Sequence, residues 1–142
     1  MTTPPLHSVS VAGIVINDRN EVLVIQRRDN GKWEPPGGIL ELHETFEEGV
    51  RREVHEETGI TVTVERLTGV YKNMPRGIVA LVFRCKPTTG MLVATPEAAN
   101  ARWMTLAEVC MVMEPAYAIR VTDAFALAAR TRSHDGVNLI GK

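Results

Sequence analysis

The chain has 142 residues, 44% of them hydrophobic and 23% charged, an ordinary composition for one globular domain with one core. Sixteen Lys and Arg against seventeen Asp and Glu give a net charge of −1, which argues against a protein that coats a nucleic acid polymer by bulk charge. No apolar run approaches 18 residues, so no membrane-spanning helix is expected. Two cysteines, Cys85 and Cys110, cannot make a disulfide framework; both are expected in apolar surroundings, in a reducing cytoplasm.

Residues 1–7 hold Pro4 and Pro5, no Lys or Arg and no apolar core. They read as a flexible lead-in rather than a secretory signal. The single domain is expected over residues 8–132, with residues 133–142 as a flexible tail. Residues 8–16 alternate and then turn apolar, as in a strand buried increasingly on both faces. Asn17, Asp18 and Asn20 mark a turn, and residues 22–25 form a second apolar strand, expected to pair with the first as a hairpin. Two prolines and two glycines make residues 33–38 irregular.

A Glu- and Arg-rich helix is predicted over residues 45–58, closed by Gly59. Residues 62–71 read as a strand with a break near Gly69, and residues 78–83 as a central strand followed by a turn over residues 87–90. Residues 101–104 are a short strand. Thr105 and Glu108 make a capping box for a short helix ending near Met113. Pro115 opens a last helix running to about Arg130. Strands around an internal helix, with helices at the end, imply an α/β fold with a mixed sheet between helical layers.

The chemistry concentrates in residues 38–60. Glu53, Glu56 and Glu57 stand at i, i+3 and i+4, so three carboxylates share one helix face. Like charges at this spacing destabilise an isolated helix by about 0.2–0.5 kcal/mol per pair. A hard divalent cation with oxygen ligands would offset that repulsion. The plain alternative is a solvated helix face, in which Glu47 pairs with Arg51 and Glu48 with Arg52.

Gly38, Glu44, Arg52-Glu53-Val54, Glu56-Glu57 and Gly59-Ile60 resemble the Nudix box, G-x5-E-x7-R-E-U-x-E-E-x-G-U, with every fixed position matched. Gly49 stands where Ala is usual, Pro35 where an aliphatic residue is common, and Asn100 where many relatives carry an acid. The resemblance implies an α/β/α sandwich around a mixed β-sheet and hydrolysis of a diphosphate bond in a nucleoside diphosphate derivative. It implies Mg²⁺ as cofactor, with Mn²⁺ as a substitute. Carried over by position, Glu53, Glu56 and Glu57 would be metal ligands, with the Gly38 backbone beside them. Arg52 would orient a box carboxylate and Glu44 would sit near the reacting water or hold the loop. Glu56 or Glu57 would accept the water's proton. Glu97, six residues before Trp103, is the acid outside the box that would serve as the base or reach the metal; an exposed loop glutamate is its plain alternative.

Arg27 and Arg28 end the second strand, and Arg27 is the candidate phosphate ligand. Trp33 would either stack on a base or pack its loop. Tyr71, Asn73 and Arg76 flank a loop that would face a ligand. The expected substrate is a small nucleotide, foremost a nucleoside triphosphate cleaved to monophosphate and pyrophosphate. Competing readings are an ADP-ribose or nucleotide-sugar pyrophosphatase, a non-catalytic nucleotide-binding module, which the intact box argues against, and an isomerase acting on a prenyl diphosphate. A homodimer is compatible with the resemblance, though no residue pattern dictates an interface.

Overall fold

The computed structural model describes residues 2–93 and 95–141. Strand β1 (Ser8–Val15) lies at the centre of the molecule. Its residues alternate between two cores, as the period-2 geometry of a strand requires. Val11 and Val15 face helix α1 (Phe46–Thr58), where they meet Val50 and Val54. Ala12 and Ile14 face the other way, toward α2 (Leu106–Val112) and α3 (Pro115–Asp123), where they join Val109, Val121 and Ala124. Full burial of an aliphatic side chain in either core contributes about 1.5–3 kcal/mol. The result is an α/β/α sandwich.

The larger sheet is mixed, in the order β4-β1-β6-β5-β8-β9. Strand β4 spans Gly37–Ile39, β5 Thr61–Asn73, β6 Ile78–Thr89, β8 Arg130–His134 and β9 Leu139–Ile140. β1 pairs parallel with β6 and antiparallel with β4. A second sheet has the order β3-β2-β7, from β2 (Val22–Gln26), β3 (Trp33–Glu34) and β7 (Asn100–Met104).

Several local expectations are corrected. Residues 8–16 and 22–25 do not form a hairpin ladder: the two strands belong to different sheets and share only the bridge Ile16–Val22. A strand apolar on both faces needs a neighbour on each edge, and β4 and β6 take both edges of β1. Residues 33–38 are not irregular throughout. Prolines lack the N–H for a ladder, so Pro35-Pro36 is where the chain leaves one sheet as β3 and enters the other as β4. β6 continues through the expected turn to Thr89, with Pro87 paired opposite Val62 beside a bulge at Thr88.

The last helix ends at Asp123 rather than near Arg130, although the sequence remains alanine-rich. Arg84 and Arg66 take the carbonyls of Ala124 and Ala126 at 3.0 and 2.8 Å, closing the helix end. Residues 130–140, expected as helix end and then flexible tail, are the strands β8 and β9. β8 runs parallel to β5 and buries His134. Among the described residues, no helix is long and apolar enough to cross a membrane. Cys85 is buried, but Cys110 is exposed on α2 rather than in an apolar setting.

Candidate active site

Helix α1 is fixed at both ends by its own sequence. Thr45 Oγ1 accepts from the Glu48 N–H at 3.2 Å and Glu48 Oε1 accepts from the Thr45 N–H at 2.8 Å. Gly59, at φ 80°, ends the helix in the left-handed region. With Val50 and Val54 facing the core, Glu53 and Glu57 reach toward strand β4.

The two glycines of β4 admit these carboxylates. A Cβ on Gly38 would lie 2.7 Å from both Glu53 carboxylate oxygens. The Gly37 N–H donates to Glu57 Oε1 at 2.7 Å, and a Cβ there would come 2.5 Å from the Val11 carbonyl. Any side chain at Gly38 would push the helix carboxylate off the strand. The small residue Gly49 has a similar reason: a methyl there would press on Leu40 and Val11, where the helix crosses the sheet.

Arg52 organises the acids around it. Its Nε and Nη2 donate to the two oxygens of Glu44 at 2.5 and 2.8 Å. Nη1 donates to Glu53 at 2.8 Å and to Glu56 at 3.3 Å, and Nη2 also reaches the Ile39 carbonyl. This fork holds Glu44 down to about 2. Glu53 is shifted up, because burial outweighs the help of Arg52 and the charges of Glu56 and Glu97 add to it.

Glu57 is the most perturbed acid. Burial, opposed by the Gly37 N–H and reinforced by the charges of Glu53, Glu34 and Glu97, pushes it up to about 8. Among the described residues no Arg, Lys or His pairs with it. A buried carboxylate without a cationic partner fits a site that takes a cation. Among the described residues no three His, Cys, Asp or Glu side chains are already gathered around one metal position. An open set of this kind suits a hard ion that keeps water and phosphate oxygens in its shell.

Glu97 is brought to the same region. Arg28, passed over in the sequence in favour of Arg27, donates to the carbonyls of Pro96 and Thr95 at 3.0 and 2.8 Å. Thr95 Oγ1 in turn donates to the Glu57 carbonyl at 3.2 Å. These bonds tie the loop before β7 to the end of α1.

A cleft of about 530 Å³ opens from Gly37 and Gly38 and is lined by Arg27, Trp33, Glu34, Arg120 and His134, among others. Arg27 lines it with three N–H groups already engaged, two by Asp29 at 2.8 and 2.7 Å and one by Glu34 at 3.3 Å. Trp33 is half-buried, packs against the core and lies under the Arg102 guanidinium at 5.3 Å. Tyr71 does not face a ligand: it is wholly buried, and its hydroxyl donates to Asp123 at 2.6 Å. Asn73 and Arg76 do line the cleft. Glu34, Arg120 and His134 had no signal in the sequence, since each gains meaning only from neighbours far along the chain.

A family model described as NUDIX domain matches residues 6–124. The chain belongs to the Nudix hydrolase family. A MutT-like protein of Streptomyces ambofaciens is 58% identical over 98% of this chain and 91% of its own length. An ADP-ribose pyrophosphatase of Methanocaldococcus jannaschii is 40% identical over 70% of this chain, which spans 62% of that protein. A crystal structure of a Nudix hydrolase from Nitrosomonas europaea shares the fold, with a TM-score of 0.79, 21% identity, and coverage of 93% of this chain and 82% of that one. Nudix hydrolases act on small nucleotide substrates and generally need divalent metal ions, and this Nudix chain presents its intact box beside the cleft.

Proposed function

We propose that this Nudix hydrolase converts a nucleoside triphosphate, natural or modified, to the monophosphate and pyrophosphate, with Mg²⁺ as its metal and Mn²⁺ as a substitute. One observation carries the reading. A cleft of nucleoside size abuts the box, at Gly37 and Gly38. A substrate with one nucleoside and a phosphate chain fits that shape. The next concavity, about 200 Å³, lies apart, along Pro87 to Leu92 and Trp103.

Glu53, Glu56 and Glu57 would hold the metal, with the Gly38 backbone and Glu97 beside them. When bound, the ion neutralises charge on the phosphate oxygens and makes phosphorus a better electrophile. Glu57 or Glu56 orients a water and takes its proton as the new P–O bond forms and the bond to the leaving phosphate breaks. Arg52 keeps Glu53, Glu56 and Glu44 in place. Arg27 steadies a phosphate through its remaining N–H groups, and Trp33 forms a wall of the cleft. We assign the reaction to the cytoplasm, a reading supported by two cysteines that do not pair, Cys85 and Cys110.

The second reading, ADP-ribose or nucleotide-sugar cleavage, is favoured by the 40% identical relative named for ADP-ribose. A panel of natural and oxidised triphosphates, ADP-ribose, sugar nucleotides and dinucleoside polyphosphates separates the two, with pyrophosphate release and nucleoside monophosphate formation measured in Mg²⁺ or Mn²⁺. Pyrophosphate from triphosphates, abolished by chelation, is the expected result. Faster cleavage of ADP-ribose than of any triphosphate would establish the second reading.

A further inference from the structure

At the far end of the cleft from the box lies a buried cation that, among the described residues, has no ion-pair partner and feels an acid, Glu34, only at longer range. Arg120 on α3 is 7% exposed and lines the cleft. Its Nε has no hydrogen-bond partner. Among the described residues it makes no ion pair. Asp123, the acid on its own helix, is taken by the Tyr71 hydroxyl at 2.6 Å and by Arg132 at 2.8 and 2.9 Å. Glu34 is bound to Arg27. Asp135 accepts the N–H groups of Val137 and Asn138 in its own turn. What holds the guanidinium is aromatic: its Cζ lies 5.0 Å from the Tyr71 ring and 4.7 Å from that of Tyr117. Rings steady the charge but offer no acceptor to the N–H groups at its edge.

The neighbouring histidine deepens the deficit. Nδ1 of buried His134 accepts the Gly136 N–H at 3.0 Å. A neutral imidazole has only one accepting nitrogen, so its proton lies on Nε2. Burial and the adjacent Arg120 both keep the ring neutral. Nε2 stands 3.2 Å from Arg120 Nη2. Two donors therefore face each other at the wall of a cleft, with no acceptor between them.

We propose that Arg120 and His134 form a subsite for a carbonyl oxygen on the substrate's base, so that this chain selects keto-bearing nucleobases such as guanine over adenine. The guanine edge offers two acceptors, O6 and N7, which match an arginine's donors; adenine puts an amino donor in the place of O6. The proposal rests on the nucleotide-hydrolase reading, because it places the phosphates at Gly38 and the base at Arg120.

The test measures binding of GMP and AMP by calorimetry, and kcat/KM for GTP and ATP with Mg²⁺, in wild type, Arg120→Met, Arg120→Lys and His134→Gln. Wild type is expected to favour guanine by about five- to a hundred-fold in both measurements. Arg120→Met brings the ratio near one, and Arg120→Lys, which keeps charge but not the fork, falls between. His134→Gln, which restores a donor, keeps a preference. Arg120→Met also melts no lower than wild type, since a buried cation without an acceptor costs the fold. Equal handling of the two bases by wild type, or an unchanged ratio with a lowered melting temperature in Arg120→Met, overturns the subsite and leaves the hydrolase reading standing. Preferential GMP binding without turnover of any triphosphate sustains the subsite and overturns the triphosphate reading.

Discussion

The two ends of the cleft are built in opposite ways. The box end gathers excess negative charge from a continuous stretch of chain: Glu44, Glu53, Glu56 and Glu57 lie within fourteen residues of one another and share one arginine. The far end gathers hydrogen-bond donors, Arg120 of α3 and His134 of β8, beside the buried Tyr71 ring of β5, on segments that meet only in the folded chain. A nucleotide in the cleft would lay its phosphates toward the first and its base toward the second. Local spacing is enough to build a metal-binding face, whereas a base-reading face depends on how strands and helices cross.

The comparison breaks most visibly at Glu57. Glu57→Gln is expected to lower kcat by roughly a hundred- to ten-thousand-fold, the range for a lost proton acceptor, with an unchanged melting profile at neutral pH or a higher one. Pyrophosphate release under saturating substrate measures it; near wild-type turnover would remove Glu57 from the chemistry. Arg52→Lys comes next. A lysine cannot fork onto Glu44 while holding Glu53 and Glu56, so a loss of about ten- to a hundred-fold in activity or metal affinity is expected, read from a Mg²⁺ titration of rate.

A pH experiment sharpens the electrostatic side. The Glu57 carboxyl is raised to about 8 in the folded, metal-free protein, above its ordinary value near 4.5. Between those two values the folded state binds more protons than the unfolded one, so this group's contribution to stability declines as pH rises. Metal-free wild type should therefore lose more stability from pH 5 to pH 8 than Glu57→Gln does. Added Mg²⁺ should restore more at pH 8 than at pH 6. Parallel denaturation curves for the two proteins would show that Glu57 is not held neutral.

The smallest effect tests the wall behind Arg120. Tyr71→Phe removes one hydrogen bond to Asp123 but leaves the Arg132 fork in place, so a loss of about 1 kcal/mol is expected from urea denaturation. A loss several times larger would mean that the Tyr71–Asp123 bond to β5, rather than the Arg132 fork from β8, is what anchors the end of α3 to the sheet.

Much of this protein was legible in its residues alone. The helix of the box, its Thr45 cap and its Gly59 stop follow from contacts three or four residues apart, which sequence order displays directly. The same holds for the capping box at Thr105 and for the two-faced apolar run of β1. Strand partners were a different matter, because period and propensity say which face is buried but not which strand lies alongside. The sheet change at Pro35-Pro36 was decided by β1, about 25 positions away, and the end of α3 at Asp123 and the strand made from residues 130–134 by groups about 40 to 60 positions away, such as Arg66, Arg84, Tyr71 and Gly69. For the same reason the acids of the box could be picked out by spacing, while Arg120 and His134 became a pair only when β8 was laid beside β5 and turned their donors toward one cleft.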